Sequence, residues 1–171
     1  MTKIGIFYGS TTGHTKTVAG LLSQELEDHG MEVRIHNIGD GDLQAMQNYD
    51  NLILAMPTWN VGELQSDWEN VYDDYARIDF SGKRVAFVGL GDATGYPAYF
   101  VDAMDLLAKP VELNNGRVVG YWPAKEYDFA HSTAKRGEHF VGLVIDQDNE
   151  NGLTQQRLRK WAKKVSKEFT E

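Results

Sequence analysis

A parallel β-sheet, wound in both directions and covered by helices on both faces, is the fold this sequence predicts. Three observations predict it. Apolar strand-like runs alternate with helix-periodic stretches five times along the 171 residues. Two of the runs, Leu52-Ile53-Leu54-Ala55-Met56 and Val85-Ala86-Phe87-Val88-Gly89-Leu90, are continuously apolar, as strands buried on both faces are. Three distinctive loops, Ser10–Thr15, Pro57–Gly62 and Gly91–Tyr99, fall where strands end, the edge at which such sheets bind ligands. No repeat or linker interrupts the pattern, so the reading is one domain over residues 1–171.

The elements follow in order. Ile4-Gly5-Ile6-Phe7-Tyr8 reads as the first strand, and Val18, Leu21, Leu22 and Leu26 trace the apolar face of the helix after it. Asp28-His29-Gly30 is a helix stop. Met31–His36 alternates, which predicts a half-exposed strand near an edge, and Asp42–Gln47 reads as a short helix. Pro57 is expected to end the third strand; Leu64, Trp68, Val71, Tyr72 and Tyr75 lie on one face of the next helix. The fourth strand is 84–90, and Phe100, Val101, Met104, Leu107, Ala108 and Val111 trace another helix, which Pro110 should end or kink. Arg117–Tyr121 begins a fifth strand, residues 122–139 read as a polar loop with aromatics, and the apolar run resumes over 140–145. Leu158, Trp161, Ala162, Val165 and Phe169 mark the last helix.

Composition removes several function classes. Without cysteine there are no disulfides, thiolate metal sites, iron–sulfur clusters or cysteine nucleophiles. A net charge of −8 argues against nucleic acid as partner and suits docking onto a basic protein surface. The last sixteen residues run against this trend, with six Lys and Arg against two Glu, a pattern expected of a solvated helix face. No apolar run approaches a membrane span, and a strand starting by Lys3 leaves no room for a targeting peptide; a soluble, cytoplasmic protein is expected.

The chemistry lies in the loops. Ser10-Thr11-Thr12-Gly13-His14-Thr15 joins a strand to a helix start, where free N–H groups and the positive end of the helix dipole favour an anion. One hydroxyl would suffice to cap the helix; four point to a phosphate. The loop lacks the lysine and the spacing of a nucleoside-triphosphate loop. Trp59 in Pro57-Thr58-Trp59-Asn60-Val61-Gly62, and Tyr96 in the loop that carries Gly91, Asp92, Gly95 and Tyr99, are flat walls for a planar ring. One phosphate cradle and two aromatic walls suggest a mononucleotide with a large flat ring.

With those residues in place, the chain resembles the long-chain flavodoxins from Lys3 to about Phe169. The likeness is carried by Ser10-x-Thr12-Gly13-x-Thr15, by the run from Pro57 to Trp68, by Gly91-Asp92-x-x-Gly95-Tyr96 and by Gly120-Tyr121-Trp122. The resemblance implies a flavodoxin-like fold with strand order 2-1-3-4-5 and a long insertion in the fifth strand. It implies non-covalent FMN, with Ser10, Thr11, Thr12, Gly13, His14 and Thr15 at the phosphate and Trp59 and Tyr96 flanking the isoalloxazine. The Asn60–Val61 peptide, with Gly62 beside it, would meet flavin N5; backbone around Asp92 would meet the pyrimidine edge, with Leu90 and Gly91 among the cofactor contacts, and Asp148 would lie near the ribityl chain. Pro57, Thr58, Gly95 and Tyr99 complete the implied cofactor contacts. Four positions depart from the family pattern: Tyr99 stands for a frequent Asn, His14 for Lys, Leu90 for Thr, and Pro110 interrupts a helix.

The implied function is a low-potential one-electron carrier, monomeric and without substrate turnover of its own. An NADPH-dependent ferredoxin or flavodoxin reductase is the implied donor and low-potential enzymes are the acceptors. No residue is needed as acid, base or nucleophile, and no metal is expected. The rival is an FMN-dependent NAD(P)H:quinone oxidoreductase on the same fold, which needs open space above the ring. A phosphorelay receiver shares the strand order, but it carries an acidic pocket where this chain has Tyr8-Gly9-Ser10.

Overall fold

The computed structural model describes residues 1–171. The strands and helices run β1 (Lys3–Tyr8), α1 (His14–Glu27), β2 (Glu32–Asn37), β3 (Asn51–Trp59), β4 (Glu63–Leu64), α2 (Ser66–Tyr75), β5 (Arg84–Leu90) and α3 (Asp102–Leu113). There follow β6 (Arg117–Val118), β7 (Trp122–Pro123), β8 (Lys135–Arg136), β9 (His139–Phe140), β10 (Leu143–Ile145), α4 (Gln147–Glu150) and α5 (Thr154–Glu168). The main sheet has the order β10-β5-β3-β1-β2, all parallel. β6 also pairs with β5, so β6 and β10 are two pieces of one strand split by an insertion. With those pieces counted as strand five, the order is 2-1-3-4-5.

Side chains of successive strand residues point to opposite faces, and each face builds its own core. Leu52, Leu54, Met56, Val85 and Phe87 pack with Trp68, Tyr75, Met104, Leu107 and Phe140 under α2, α3 and the insertion. Ile53, Ala55, Ala86 and Val88 pack with Val18, Leu22, Leu158, Trp161 and Val165 under α1 and α5. No helix is long and apolar enough to cross a membrane.

Four local expectations are corrected. β3 runs through Pro57 to Trp59, with Pro57 opposite Leu90. The ladder to β1 ends at Ala55, so Pro57 is paired on one side only, an edge-like position where a missing N–H is tolerated. Leu64 is not helical: it pairs with Thr58 in a hairpin, and α2 begins two residues later, where the Gln65 side chain accepts from the Asp67 N–H. α3 starts at Asp102, after Phe100 and Val101, and continues past Pro110 to Leu113. Proline removes the N–H that the Leu106 carbonyl would have received, and the Tyr72 hydroxyl donates to that carbonyl instead, at 2.8 Å. Finally, the stretch read as a loop holds a small antiparallel sheet, β7-β9-β8, whose β8–β9 hairpin turns on Gly137 at φ 68°.

Candidate functional site

The carboxyl ends of β3, β5 and β10 are level, since Pro57, Leu90 and Ile145 are register partners in turn. Beyond them opens a cleft of about 690 Å³ counted to its mouth, a size within the usual range for small-ligand sites. Of the residues singled out in the sequence, Thr12, His14, Thr15, Pro57, Thr58, Trp59, Leu90, Gly91, Asp92, Tyr96 and Asp148 line this one cleft. Ser10, Thr11, Gly13, Asn60, Val61, Gly62, Gly95 and Tyr99 stand in the same loops but do not line it.

At the α1 end, Gly13 takes φ 92° in the left-handed region, and α1 starts without a side-chain cap on its first turn. The Ser10 hydroxyl oxygen accepts from the Gly13 N–H at 3.0 Å, and the Thr11 hydroxyl oxygen accepts from the Gln65 amide at 3.1 Å. Both hydroxyls keep their own proton to donate. The side chains of Thr12, His14 and Thr15 border the cleft with no partner in the chain, although Thr15 is buried. An uncapped helix start beside unspent hydroxyls is the donor set a phosphate needs. Gly9, just before the cradle, serves the core: a Cβ there would lie 2.6 Å from Trp68 Cδ1, so this glycine makes room for a core indole.

The aromatic walls come from two loops. Trp59 is half-buried at the base of the β3–β4 hairpin; Tyr96 is 49% exposed. Between the hairpin strands, Asn60 and Gly62 take φ 48° and 85°. A Cβ on Gly62 would lie 3.0 Å from Asp102 Cβ, so a larger residue is disfavoured both by conformation and by contact. Thr58 is turned to structure: its hydroxyl oxygen accepts from the Ala103 N–H at 3.1 Å and so caps α3.

Asp92 organises the second loop. Its Oδ1 accepts from the N–H groups of Thr94 (3.1 Å) and Gly95 (2.7 Å) and from the Asn149 amide (2.8 Å). The Gly95 N–H first, and then the Asn149 amide, hold the Asp92 carboxyl below the ordinary aspartate range. Asp146, 1% exposed, anchors the same region by accepting from the Ala93 N–H and from the backbone and side chain of Asn149. Carboxylate oxygens of Asp92, Asp146 and Asp148 lie within 4.8 Å of one another, so this corner of the cleft is strongly acidic.

Sequence reasoning missed Gln147, which lines the cleft, and the supporting Asp146, Asn149 and Gln65. The signal for Asp146 was present: a charged residue directly after a fully apolar strand requires partners.

A sequence model of the family described as Flavodoxin matches residues 6–161. The chain belongs to the flavodoxin family. A flavodoxin of Synechococcus elongatus is 46% identical over 169 residues, covering 99% of this chain and 99% of that one. Flavodoxin 1 of Escherichia coli is 39% identical over 167 residues, covering 96% of this chain and 93% of its own length. Among solved structures, Fusobacterium nucleatum flavodoxin bound to flavin mononucleotide superposes with a TM-score of 0.93 at 31% identity, over 99% of both chains.

Proposed function

We propose that residues 1–171 form one FMN-binding domain that carries single electrons between larger enzymes. The observation that carries this reading is the cleft itself, with unspent phosphate donors at one end and an aromatic residue from each of two loops at the other. Ser10, Thr11, Thr12, Gly13, His14 and Thr15 would hold the phosphate, Trp59 and Tyr96 the flat ring, and Asp148 the ribityl chain. Pro57, Thr58, Leu90, Gly91, Gly95 and Tyr99 would complete the contact surface. The flavin supplies the redox chemistry when bound.

The chain's own residues bind, orient and tune. The Asn60–Val61 peptide, with Gly62 beside it at φ 85°, would offer a backbone group to the ring edge. The carboxylates at 92, 146 and 148, in a chain of net charge −8, disfavour a further negative charge in the cleft, which favours a low potential for the last electron added. No residue acts as acid, base or nucleophile. The donor would be an NADPH-dependent ferredoxin or flavodoxin reductase and the acceptors low-potential enzymes, with the carrier monomeric and working in the cytoplasm. The test is an anaerobic potentiometric titration of the FMN-loaded protein followed by absorbance. Two resolved one-electron steps are expected. A single two-electron step, together with NADPH-to-quinone turnover by the purified protein alone, would assign the chain to the quinone reductases instead.

A further inference from the structure

A second cleft, of about 540 Å³ counted to its mouth, lies where the insertion meets the start of α5, and its lining shares no residue with the flavin-side cleft. At its wall is Arg157, whose side chain is only 6% exposed. The guanidinium carbon stands 4.4 Å above the Tyr127 ring, and Nη1 donates to Glu150 at 3.3 Å. Those are its only partners in the chain. A guanidinium carries five N–H donors in a rigid fork, so Nε and Nη2 are unspent. No fully enclosed side-chain nitrogen or oxygen in the protein lacks a partner, so those two nitrogens reach solvent, at a residue that lines the cleft.

The surroundings favour an anion. Lys125 from the insertion and Lys160, one turn along α5, are exposed at the cleft, against Glu126 alone of opposite sign beyond Arg157's own partner. α5 begins at the cleft without a side-chain cap, directly after a 3-10 turn whose Asn151 carbonyl accepts the Thr154 N–H. Trp122, steered by its Nε1–H bond to the Tyr127 hydroxyl at 3.0 Å, and Leu153 supply apolar surface. Most of the basic C-terminal stretch is solvated helix face, but Arg157 and Lys160 converge with a cation and an indole brought by the insertion.

We propose that this cleft is a second binding site, for a small organic oxyanion whose phosphate or carboxylate group is gripped by the Arg157 fork between Lys125 and Lys160, with its apolar part against Trp122 and Leu153. The site is independent of the flavin. It is tested by isothermal titration calorimetry on the FMN-loaded protein, where the flavin phosphate fills its own cradle, with inorganic phosphate, phenyl phosphate and benzoate as probes. One-to-one binding of phenyl phosphate or benzoate, tighter than inorganic phosphate, is expected, and the tighter of the two tells the phosphate source from the carboxylate. The Trp122 indole N–H resonance should move with saturation. Lys125→Gln and Lys160→Gln should each weaken binding by about threefold, and Arg157→Lys, which keeps the charge and loses the fork, by about tenfold. Lys163→Gln, the same charge change on the same helix outside the cleft, should leave affinity unchanged. Absence of saturable binding at millimolar probe, binding only to the flavin-free protein, or equal weakening by Lys163→Gln and Lys160→Gln would overturn the proposal. The two exposed lysine variants decide the matter even where Arg157→Lys lowers stability.

Discussion

The loops around the flavin-side cleft and the insertion in the fifth strand both stand outside the main parallel ladder, yet they use their polar groups in opposite ways. Apart from Lys125 and Glu126 at the second cleft, the insertion is closed on itself and on α3. The Tyr127 hydroxyl accepts from Trp122 and donates to the Val144 carbonyl at 2.6 Å, and Arg136 joins buried Asp105 at 2.7 Å and Glu112 at 2.8 Å. The Phe100 N–H donates to the His131 carbonyl, and Asp102 accepts from the Thr133 N–H. The cleft loops instead leave the side chains of Thr12, His14, Thr15, Trp59, Tyr96 and Asp148 without hydrogen-bonded partners in the chain. Where polar groups are spent internally, a segment is a brace; where they are left at the mouth of a preorganised cleft, they await a ligand. Asp92 belongs to both kinds, since it lines the cleft while holding its own loop.

That contrast is broken or sharpened by variants on each side. The largest expected effect is Tyr127→Phe, which strips a buried carbonyl and an indole N–H of their partner. It should cost about 1–3 kcal/mol in denaturant unfolding while the folded protein keeps its FMN affinity. Thr15→Val should do the reverse. It should weaken FMN about tenfold, by the loss of one charge-assisted bond, with flavin-free stability changed by no more than about 0.5 kcal/mol. Asp92→Asn probes the residue with both roles. The wild-type carboxyl is held below the ordinary value of about 3.9, so its stabilisation is complete above that pH and is lost as pH falls through the lowered value. Unfolding curves of wild type and Asp92→Asn should therefore differ at neutral pH and converge in strong acid. The smallest effect concerns docking. Glu63, Glu69, Asp73 and Asp74 are exposed beside the Trp59 hairpin, whereas Asp67 is turned in and accepts from Gln65 at 2.8 Å. Electron transfer from a basic reductase should slow as ionic strength rises and slow further with Asp73→Lys, and Asp67→Lys should act more on stability than on rate.

The strand–helix alternation, the two buried strands and the cleft loops were legible because each has a local physical signature. Apolar periodicity fixes which face is buried, and a hydroxyl run before a helix marks an anion cradle. What escaped reading depends on partners distant in sequence. Pro110 stays within α3 because Tyr72 reaches across to the carbonyl it leaves free. Val101 adopts φ 49°, which a β-branched residue rarely does, with Phe100 held by His131, Asp102 by Thr133 and Ala103 by Thr58 around it. The small sheet in the insertion had one local cue, Gly137 between two short strands, too brief to stand out from a polar stretch. Gly9 carries no local sign of its role, because the room it leaves for Trp68 is set by α2, nearly sixty residues on.

The most direct test of the cradle is a fluorescence titration of the flavin-free protein with FMN and with riboflavin under identical conditions. If the uncapped start of α1 and the hydroxyls of Ser10, Thr11, Thr12 and Thr15 are held ready for a phosphate, FMN should bind at least about tenfold more tightly, and Thr15→Val should narrow that gap while leaving riboflavin affinity unchanged. Equal affinity for the two flavins would contradict the account.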